Sequence, residues 1–398
     1  MPSPSDFLVM AKPCGPRCDL RCGYCYYVGN ETALRGPGPG AKLPGRMSEA
    51  MLESYIAQRL AMAGASGAHF EWHGGEATLL GLDYFKAISR IQRRLKPDDL
   101  ALTNGLQTNG LSMNGAWADF LASEGWSVGL SLDGPAGIHD KYRRSADGKP
   151  TQERVLRAYE ILGRAGVFVN LLCVVTEASA GRPEELYSFF RGIGARYLQF
   201  LPLVTPARRE AGRGPASPHP AAAEPAAYGD FLCRTFELWI ESGVGSIVVQ
   251  NFDEALRPIY GMPHALCVHS PECGKVVVLE RDGSLYACDH FVDGEHFLGV
   301  LGERSLAELL ADPRLSAFGA AKRGTLPRRC RECEHLASCN GGCPKDRIAP
   351  SSDGEGAINR LCPAYERFFA ASRPALEALA AHMKAGRALK AFRFRSPS

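Results

Sequence analysis

Three cysteines near the start of the chain have the spacing of an iron–sulfur site. Cys18, Cys22 and Cys25 form a C-x3-C-x2-C motif on one short segment. Structural zinc sites are closed by four ligands. Three thiolates can instead hold a [4Fe–4S] cluster and leave one iron open for a small molecule. Cys14, four residues upstream, could complete a zinc site. The rest of the sequence favours the open cluster, so we expect Cys14 not to be a ligand.

A second group of cysteines in the C-terminal half suffices for two closed four-thiolate sites. Its eight members are Cys267, Cys273, Cys288, Cys330, Cys333, Cys339, Cys343 and Cys362. Two zinc ions and two iron–sulfur clusters are both open possibilities, because the number of thiolates does not separate these metals. Cys173 falls in a predicted strand and Cys233 on a predicted helix, and we expect both to be small core residues.

The composition is that of a soluble globular protein, with 398 residues, 45% hydrophobic and 22% charged. A net charge of +3 is too small to indicate binding to nucleic acid or to an acidic membrane surface. The N-terminal residues do not form a signal peptide, and no apolar run is long enough for a transmembrane helix. Fourteen cysteines in such a chain favour metal binding over disulfides. We therefore expect an oxygen-sensitive cytoplasmic metalloprotein.

Strands and helices alternate in the first half of the chain. Apolar runs predict buried parallel strands at Phe7–Met10, His69–Trp72, Leu102–Gln107, Val128–Leu132, Val167–Val175 and Tyr197–Leu203. Helical patterns between them cover Ser48–Ala61, Tyr84–Leu95, Ala116–Ala122, Glu153–Ala165 and Glu184–Gly192. Six β-α repeats predict an α/β fold, a partial (β/α)6 TIM-like barrel with its chemistry at the C-terminal ends of the strands. The cysteine loop follows the first strand, at that end.

The sequence predicts four parts. The partial barrel is expected at residues 1–204. A linker and a connecting helix are expected at 205–260, because residues 205–227 are rich in Pro, Ala, Gly and Arg. A cysteine-rich domain is expected at 261–370, and a C-terminal helix with a basic tail at 371–398.

Two segments of the predicted barrel could bind a ligand. Trp72-His73-Gly74-Gly75-Glu76 follows the second strand, where glycines allow close backbone approach and a carboxylate can pair with an ammonium group. Ser131-Leu132-Asp133-Gly134-Pro135 ends the fourth strand, and Arg143 follows on the next loop. Taken alone, Arg143 could equally be a surface arginine.

These motifs, in this order, resemble radical S-adenosylmethionine (radical SAM) enzymes with a SPASM domain, and more narrowly the anaerobic sulfatase-maturating enzymes. The resemblance spans roughly residues 7 to 370. Besides the cysteines and the two segments above, it is carried by Lys12-Pro13, Gln107-Thr108-Asn109-Gly110, Asn170-Leu171-Leu172-Cys173-Val174-Val175, Gln199-Phe200, Tyr286-Ala287-Cys288-Asp289-His290 and Gly341-Gly342-Cys343-Pro344-Lys345.

The resemblance implies S-adenosylmethionine and three [4Fe–4S] clusters as cofactors. Cys18, Cys22 and Cys25 would hold the catalytic cluster, and residues 261–370 would form the SPASM domain. Its two auxiliary sites would interleave, one held by Cys267, Cys273, Cys288 and Cys343, the other by Cys330, Cys333, Cys339 and Cys362.

The resemblance also implies which residues contact S-adenosylmethionine. Gly75 and Glu76 would hold the methionine amino group, although Ala77 replaces the family's usual proline after them. Ser131 and Arg143 would contact the methionine portion. Tyr24 would lie against the adenine, and the backbone of Val204 would contact it as well.

The implied reaction oxidises a Cys or Ser of a sulfatase, in a Cys/Ser-x-Pro/Ala-x-Arg segment, to Cα-formylglycine. Asp289 would be the proton acceptor, with a pKa expected to be raised by a nearby negative cluster; the alternative is that it caps the cluster loop. Ferredoxin or flavodoxin would exchange electrons, and neither nucleic acid nor a membrane is an expected partner.

Two other functions stay open from the sequence. Related peptide maturases share the cysteine pattern, so the chain could crosslink a ribosomally made peptide. A zinc-stabilised binding module without enzymatic activity is the third possibility. Whether the target is cysteine, serine or both is not determined by the sequence.

Overall fold

The structure is a computed structural model that describes residues 6–28, 44–204 and 218–394. No helix in these ranges is both long and apolar enough to span a membrane. Of the predicted linker and basic tail, residues 205–217 and 395–398 lie outside the described part. The chain forms two compact units, one of residues 1–131, 142–169 and 274–320, the other of residues 132–141, 170–273 and 321–398. The predicted division at residues 204, 260 and 370 stays a prediction.

The described residues contain twelve strands and fourteen α-helices. The strands are β1 (Leu8–Lys12), β2 (Ala68–Trp72), β3 (Leu102–Thr108), β4 (Ser127–Ser131), β5 (Phe168–Val175), β6 (Tyr197–Pro202), β7 (Val248–Val249), β8 (Val276–Glu280), β9 (Ser284–Tyr286), β10 (Phe297–Val300), β11 (Arg347–Pro350) and β12 (Ala357–Asn359). The helices are α1 (Glu49–Ala61), α2 (Leu82–Leu95), α3 (Gly115–Ser123), α4 (Ala136–Tyr142), α5 (Gln152–Arg164), α6 (Glu177–Ala180), α7 (Pro183–Gly192), α8 (Pro225–Ser242), α9 (Gln250–Tyr260), α10 (Leu306–Leu310), α11 (Pro313–Gly324), α12 (Arg328–Arg331), α13 (Leu336–Cys339) and α14 (Cys362–Lys384).

The first unit is built on a mixed sheet with strand order β10-β9-β8-β1-β2-β3-β4. Neighbouring strands from β8 to β4 pair in parallel, whereas β9 and β10 continue the edge as antiparallel strands. The β1–β8 register places Lys12 opposite Glu280. The C-terminal end of the first strand therefore meets a segment that comes much later in the chain.

Aromatic side chains fill the core between this sheet and its helices. Phe70 and Trp72 lie two residues apart on β2 and therefore on the same face of the strand. Their rings stack with centroids 6.2 Å apart. Tyr55 of α1 meets Phe70 edge-on at 5.6 Å. Helix α1 begins where the sequence predicted, because the Ser48 hydroxyl accepts a hydrogen bond of 3.1 Å from the Met51 N–H and so caps an otherwise unpaired donor.

The second unit combines the parallel strands β5, β6 and β7 with a bundle of longer helices. Helices α8, α9 and α14 pack together through Phe236, Phe252 and Phe368, whose ring centroids lie 5.2 to 5.9 Å apart. A short antiparallel pair, β11 and β12, belongs to the same unit.

The six predicted strands correspond to β1–β6, and the five predicted helices to α1, α2, α3, α5 and α7, with ends that differ by a few residues. The alternating α/β prediction is thus confirmed. The sequence did not predict that β8 pairs with β1, since this parallel contact joins distant parts of the chain.

Candidate functional site

The loop with the first three cysteines directly follows β1 and is held by a second backbone segment. The N–H groups of Arg21 and Gly23 donate to the carbonyls of Arg144 and Tyr142 at 2.8 and 3.0 Å. The Ala146 N–H returns a bond of 2.8 Å to Asp19. These contacts fix the loop before any ligand binds, which is what an ordered cluster site requires.

The thiols on this loop have surroundings that suit a cluster. Cys18, Cys22 and Cys25 are partly buried. The Leu20 N–H lies 3.3 Å from Cys18 Sγ, and the Val28 N–H lies 3.3 Å from Cys25 Sγ. Burial raises the pKa of the Cys18 thiol to about 12, against the effect of the Leu20 N–H. Thiolate sulfurs that accept backbone hydrogen bonds are typical of iron–sulfur sites, so the donor set fits the implied group.

Cys14 has a different environment from these three thiols. It is fully buried, and its Sγ lies 3.3 Å from the Gly15 carbonyl. Burial and the charge of Glu76 raise the pKa of Cys14 to about 11, so the thiol form is favoured. A Cβ on Gly74 would lie 3.0 Å from this sulfur. Cys14 is therefore a packing residue beneath the glycine turn.

The Gly74-Gly75 turn is locked against the cysteine loop. The N–H groups of Gly75 and Glu76 donate to the carbonyls of Gly15 and Arg17 at 2.8 and 2.7 Å. Gly74 has a φ of +137°, and any Cβ on Gly75 would collide with the Arg17 carbonyl. Only glycines permit this close approach, which sets the turn directly beside the cysteines.

The carboxylate of Glu76 is engaged by the chain itself. Oε1 accepts from the Thr78 N–H at 3.2 Å and from the hydroxyls of Thr78 and Thr108 at 2.6 and 2.8 Å. Oε2 accepts from the Asn109 N–H at 2.7 Å. Burial raises the pKa of Glu76, although these hydrogen bonds oppose the shift. The side chain therefore ties the end of β2 to the end of β3, and its predicted contact with a ligand amino group stays a prediction.

Asn109 is a site residue to which the sequence assigned no role. Its side-chain Nδ2 lies 2.7 Å from Asp19 Oδ1 and 3.8 Å from Cys18 Sγ, while its backbone supports Glu76. The sequence motif that could have predicted this role is Gln107-Thr108-Asn109-Gly110. It lies at the C-terminal end of β3, and functional residues of such barrels lie at the C-terminal ends of the strands.

Arg143 and Tyr24 meet beside the cysteine loop. The Arg143 guanidinium donates to the Tyr24 hydroxyl at 3.1 Å, and only 7% of the residue is exposed. Arg143 is thus not a surface arginine. Ser131 lies at the end of β4, where its hydroxyl accepts from Gln107 Nε2 at 3.1 Å. Val204 belongs to the second unit; it is buried, and its carbonyl accepts from the His219 N–H at 2.8 Å.

Asp289 lies in a buried charged network of the first unit. Its carboxylate forms an ion pair with Lys12 and accepts a hydrogen bond from the Tyr26 hydroxyl. Burial alone would raise the pKa of Asp289, but the interactions with Lys12 first, and then with His290 and His73, outweigh it and the pKa is lowered. The sequence-based expectation of a raised pKa was for Asp289 beside a negatively charged cluster and stays a prediction; in the protein alone the buried ammonium of Lys12 lowers the pKa.

Lys12 connects this network to Glu280. Its side chain is fully buried, and its Nζ lies 3.7 Å from the centre of the Tyr27 ring. Tyr27 Oη lies 2.8 and 2.7 Å from the two carboxylate oxygens of Glu280. Burial raises the pKa of Glu280 to about 7, although the charge of Lys12 and the Tyr27 hydroxyl lower it. The Lys12-Pro13 motif was the sequence signal for this lysine, which carried no predicted role.

One predicted auxiliary ligand set lines a single cavity in the second unit. The walls of this cavity, about 430 Å³ including the solvent at its mouth, contain Cys330, Cys333, Cys339 and Cys362. The remaining wall includes Tyr365 and Phe369. Four thiols around one cavity, separated along the chain but close in space, fit a four-thiolate cluster.

The other predicted set is divided between the units. Cys267, Cys273 and Cys343 lie near one another and near Lys322 in the second unit. Cys288 lies in the first unit, where its Sγ is 3.4 Å from the His290 N–H. No disulfide joins any of the fourteen cysteines, all of which are described. Within the described part, no group of three or more His, Cys, Asp or Glu side chains is arranged so that it could hold a single metal ion.

Comparison with known proteins agrees with this geometry. Residues 13–190 match the model of the radical SAM superfamily, and residues 272–334 match SPASM, an iron-sulfur cluster-binding domain. The chain is 34% identical over 377 residues to the serine-type anaerobic sulfatase-maturating enzyme of Bacteroides thetaiotaomicron, a match that covers 92% of this chain and 90% of the relative. The protein belongs to the anaerobic sulfatase-maturating enzyme family.

Another member of the family and two solved structures also match most of this chain. The cysteine-type anaerobic sulfatase-maturating enzyme of Clostridium perfringens is 30% identical over 94% of this chain and 99% of the relative. The solved structure of native anSMEcpe with bound AdoMet and Kp18Cys peptide superposes with a TM-score of 0.81, at 30% identity, covering 94% of this chain and 99% of that one. Streptococcus suis SuiB bound to S-adenosylmethionine, at 16% identity and a TM-score of 0.59, shares the fold.

For this anaerobic sulfatase-maturating enzyme, the family resemblance seen in the sequence is confirmed, and so are the partial barrel and the SPASM region. S-adenosylmethionine and iron–sulfur clusters are the cofactors of the radical SAM and SPASM classes that it matches. A zinc-stabilised binding module without activity is therefore excluded. The individual ligand residues stay predictions that the geometry supports.

Proposed function

We propose that this enzyme oxidises a cysteine or serine of a sulfatase to Cα-formylglycine, using S-adenosylmethionine and three [4Fe–4S] clusters. One observation carries the proposal: the similarity to sulfatase-maturating enzymes extends through the cysteine loop, the Asp289 segment and the C-terminal cysteines, over more than nine-tenths of the chain. None of its fourteen cysteines forms a disulfide. A reducing compartment suits such a chain, so we place the enzyme in the cytoplasm.

In this proposal the first unit binds the cofactor. Cys18, Cys22 and Cys25 would hold the catalytic cluster, which would supply the electron that cleaves S-adenosylmethionine. When bound, S-adenosylmethionine supplies a 5′-deoxyadenosyl radical that removes a hydrogen atom from the substrate Cβ. Tyr24 and Arg143 lie side by side next to the cysteine loop. The Arg143 guanidinium, fixed by packing, is suited to bind the methionine carboxylate. Gly75, Glu76 and Ser131 contact the rest of the methionine portion. The backbone of Val204 contacts the adenine.

Asp289 accepts the proton of the substrate hydroxyl or thiol. In the protein alone the carboxylate is ionised, which is the form that accepts a proton, and the lowered pKa makes it a weaker base than an unpaired aspartate. Lys12 and Tyr26 hold the carboxylate in place. Loss of one hydrogen atom, one proton and one electron turns the carbon–oxygen or carbon–sulfur single bond into a double bond; water then replaces sulfur in the cysteine case.

The electron left on the substrate passes to an external acceptor of the ferredoxin or flavodoxin class. In our proposal the interleaved sets Cys267, Cys273, Cys288, Cys343 and Cys330, Cys333, Cys339, Cys362 hold the two auxiliary clusters. The cavity lined by the second set supports this grouping.

The test is anaerobic incubation of the reduced enzyme with two matched peptides, one with Cys-x-Pro-x-Arg and one with Ser-x-Ala-x-Arg. Mass spectrometry should show formylglycine in at least one of them, together with 5′-deoxyadenosine. A peptide with alanine at the target position is the control and should stay unmodified. Cofactor cleavage with a crosslink in place of an aldehyde would contradict the proposal and favour the peptide-crosslinking function.

A further inference from the structure

Lys322, near the end of α11, is a buried lysine that the reaction above does not use. Only 1% of the residue is exposed. Within the described ranges, Lys322 forms no ion pair with a carboxylate. A buried ammonium is costly unless polar or charged groups compensate it, so its partners indicate what it is for.

Three backbone carbonyls surround the ammonium. Nζ lies 2.7 Å from the Cys267 oxygen and 2.9 Å from the Val268 oxygen, and it also donates to the Ser270 oxygen. An ammonium has three hydrogens, so these contacts use all of them. The carbonyls belong to one tight turn, because the Ser270 N–H bonds back to Leu266 at 3.1 Å. Lys322 thus fixes the backbone that carries Cys267.

The thiols of one predicted auxiliary set lie within electrostatic reach of the same ammonium. The thiols of Cys273, Cys343 and Cys267 all interact electrostatically with the Lys322 ammonium. A second cation, Arg347, lies close by. Its Nε donates to the carbonyl of Gly341, two residues before Cys343, at 3.2 Å. Carbonyl dipoles and cysteine sulfurs therefore lie where a carboxylate would normally balance the charge of the lysine.

From this geometry we propose that Lys322 is a positioning residue for the auxiliary cluster whose predicted ligands include Cys267, Cys273 and Cys343, and that its ammonium balances part of the negative charge of that cluster. The proposal rests on the proposed function only for the presence of the cluster. A thiolate-bound cluster becomes more negative when reduced, and net charge and nearby charges set its potential. Lys322 therefore raises the reduction potential of this cluster and keeps the Cys267 ligand in register.

The experiment compares Lys322→Met, which removes the charge at similar length, with Lys322→Arg, which keeps it. Arg323→Met is the matched control, since Arg323 is the next residue of α11 and is exposed. Iron content and the midpoint potential are measured by redox titration with electron paramagnetic resonance on the reconstituted enzyme. The signal of this cluster is identified by its loss in Cys267→Ala.

We expect Lys322→Met to lower the ratio of reduced to oxidised cluster at a fixed potential about tenfold, a shift of about 59 mV for a one-electron couple. Lys322→Arg and Arg323→Met should stay near the parental value. Loss of the iron of this one cluster in Lys322→Met, with retention in Lys322→Arg, would support the proposal equally. A parental potential with full iron in Lys322→Met would overturn it, and so would equal effects of the Met and Arg variants.

The proposed function has its own separate test. The titration needs no substrate, so a failure to form formylglycine does not affect it. The iron content of the parental enzyme is measured before any variant is made. A parent with zinc in place of the auxiliary clusters would contradict the proposed cluster number and overturn the role of Lys322 with it.

Discussion

Lys12 and Asp289 form an ion pair inside the first unit, at the end of β1 and just after a predicted cluster ligand. The ammonium is fully buried and lies over the ring of Tyr27. The pair therefore holds the proposed proton acceptor in its ionised form and in a fixed place. Loss of either side chain leaves the other charge buried without its partner, so both changes are expected to lower stability, and loss of Asp289 is expected to act on the reaction as well.

Asp289→Asn should separate radical formation from product formation. The amide keeps the size of the side chain but cannot accept the proton, and removal of a general base costs roughly 10²–10⁴-fold in rate. We expect parental iron content and continued cleavage of S-adenosylmethionine, measured as 5′-deoxyadenosine, with little formylglycine. Asp293→Asn, in an exposed loop nearby, is the control. Full product formation would show that Asp289 is not the base, and a collapse of the iron content would make it structural.

Lys12→Met should destabilise the first unit. Removing one partner of a buried ion pair leaves an uncompensated charge and typically costs about 3–5 kcal/mol in the free energy of unfolding. Anaerobic chemical denaturation measures this change. The double variant Lys12→Met/Asp289→Asn should lose less than the sum of the two single variants, because neither charge is left alone. Additive losses would mean that the two side chains do not interact in solution.

An exposed ion pair provides the comparison for this experiment. Lys86 pairs with Asp83 on the surface of α2 at 3.9 Å. Lys86→Met should change the free energy of unfolding by no more than about 1 kcal/mol, as is usual for exposed pairs.

Arg143→Ala should weaken cofactor binding without changing the clusters. A charge-assisted hydrogen bond is worth roughly 1.5–3 kcal/mol, so the dissociation constant of S-adenosylmethionine should rise about tenfold or more. Equilibrium binding and iron analysis on the same sample measure both quantities. Arg144→Ala changes the adjacent, exposed arginine and should bind like the parent. Parental affinity in Arg143→Ala would restrict this arginine to supporting Tyr24.

Replacement of Cys18, Cys22 and Cys25 by alanine should remove about four irons and abolish cofactor cleavage, because these thiolates hold one [4Fe–4S] cluster. Cys14→Ala should keep the parental iron content, since the Cys14 thiol packs beneath the Gly74-Gly75 turn. Iron and sulfide analysis of both variants after anaerobic reconstitution measures whether each still holds the cluster. A loss of about four irons in Cys14→Ala would show that the ligand set includes it.

The sequence by itself determined the class of chemistry and the order of the elements. The spacing of Cys18, Cys22 and Cys25 is a local property, and six alternating strands and helices are visible as periodic runs of apolar residues. The family followed from motifs of a few neighbouring residues each. Such features depend on short stretches of chain, so one sequence is enough to identify them.

Tertiary structure decided the electrostatics of the site. Asp289 has a lowered pKa because Lys12, at the end of β1, and the histidines His73 and His290 lie near its carboxylate in the fold. Glu76 has its carboxylate occupied by Thr78, Thr108 and Asn109. The pKa and availability of a side chain depend on burial and on neighbours from distant strands, and local spacing does not encode these. Lys322 belongs to no motif in the sequence, and only the tertiary structure shows that three backbone carbonyls surround its ammonium.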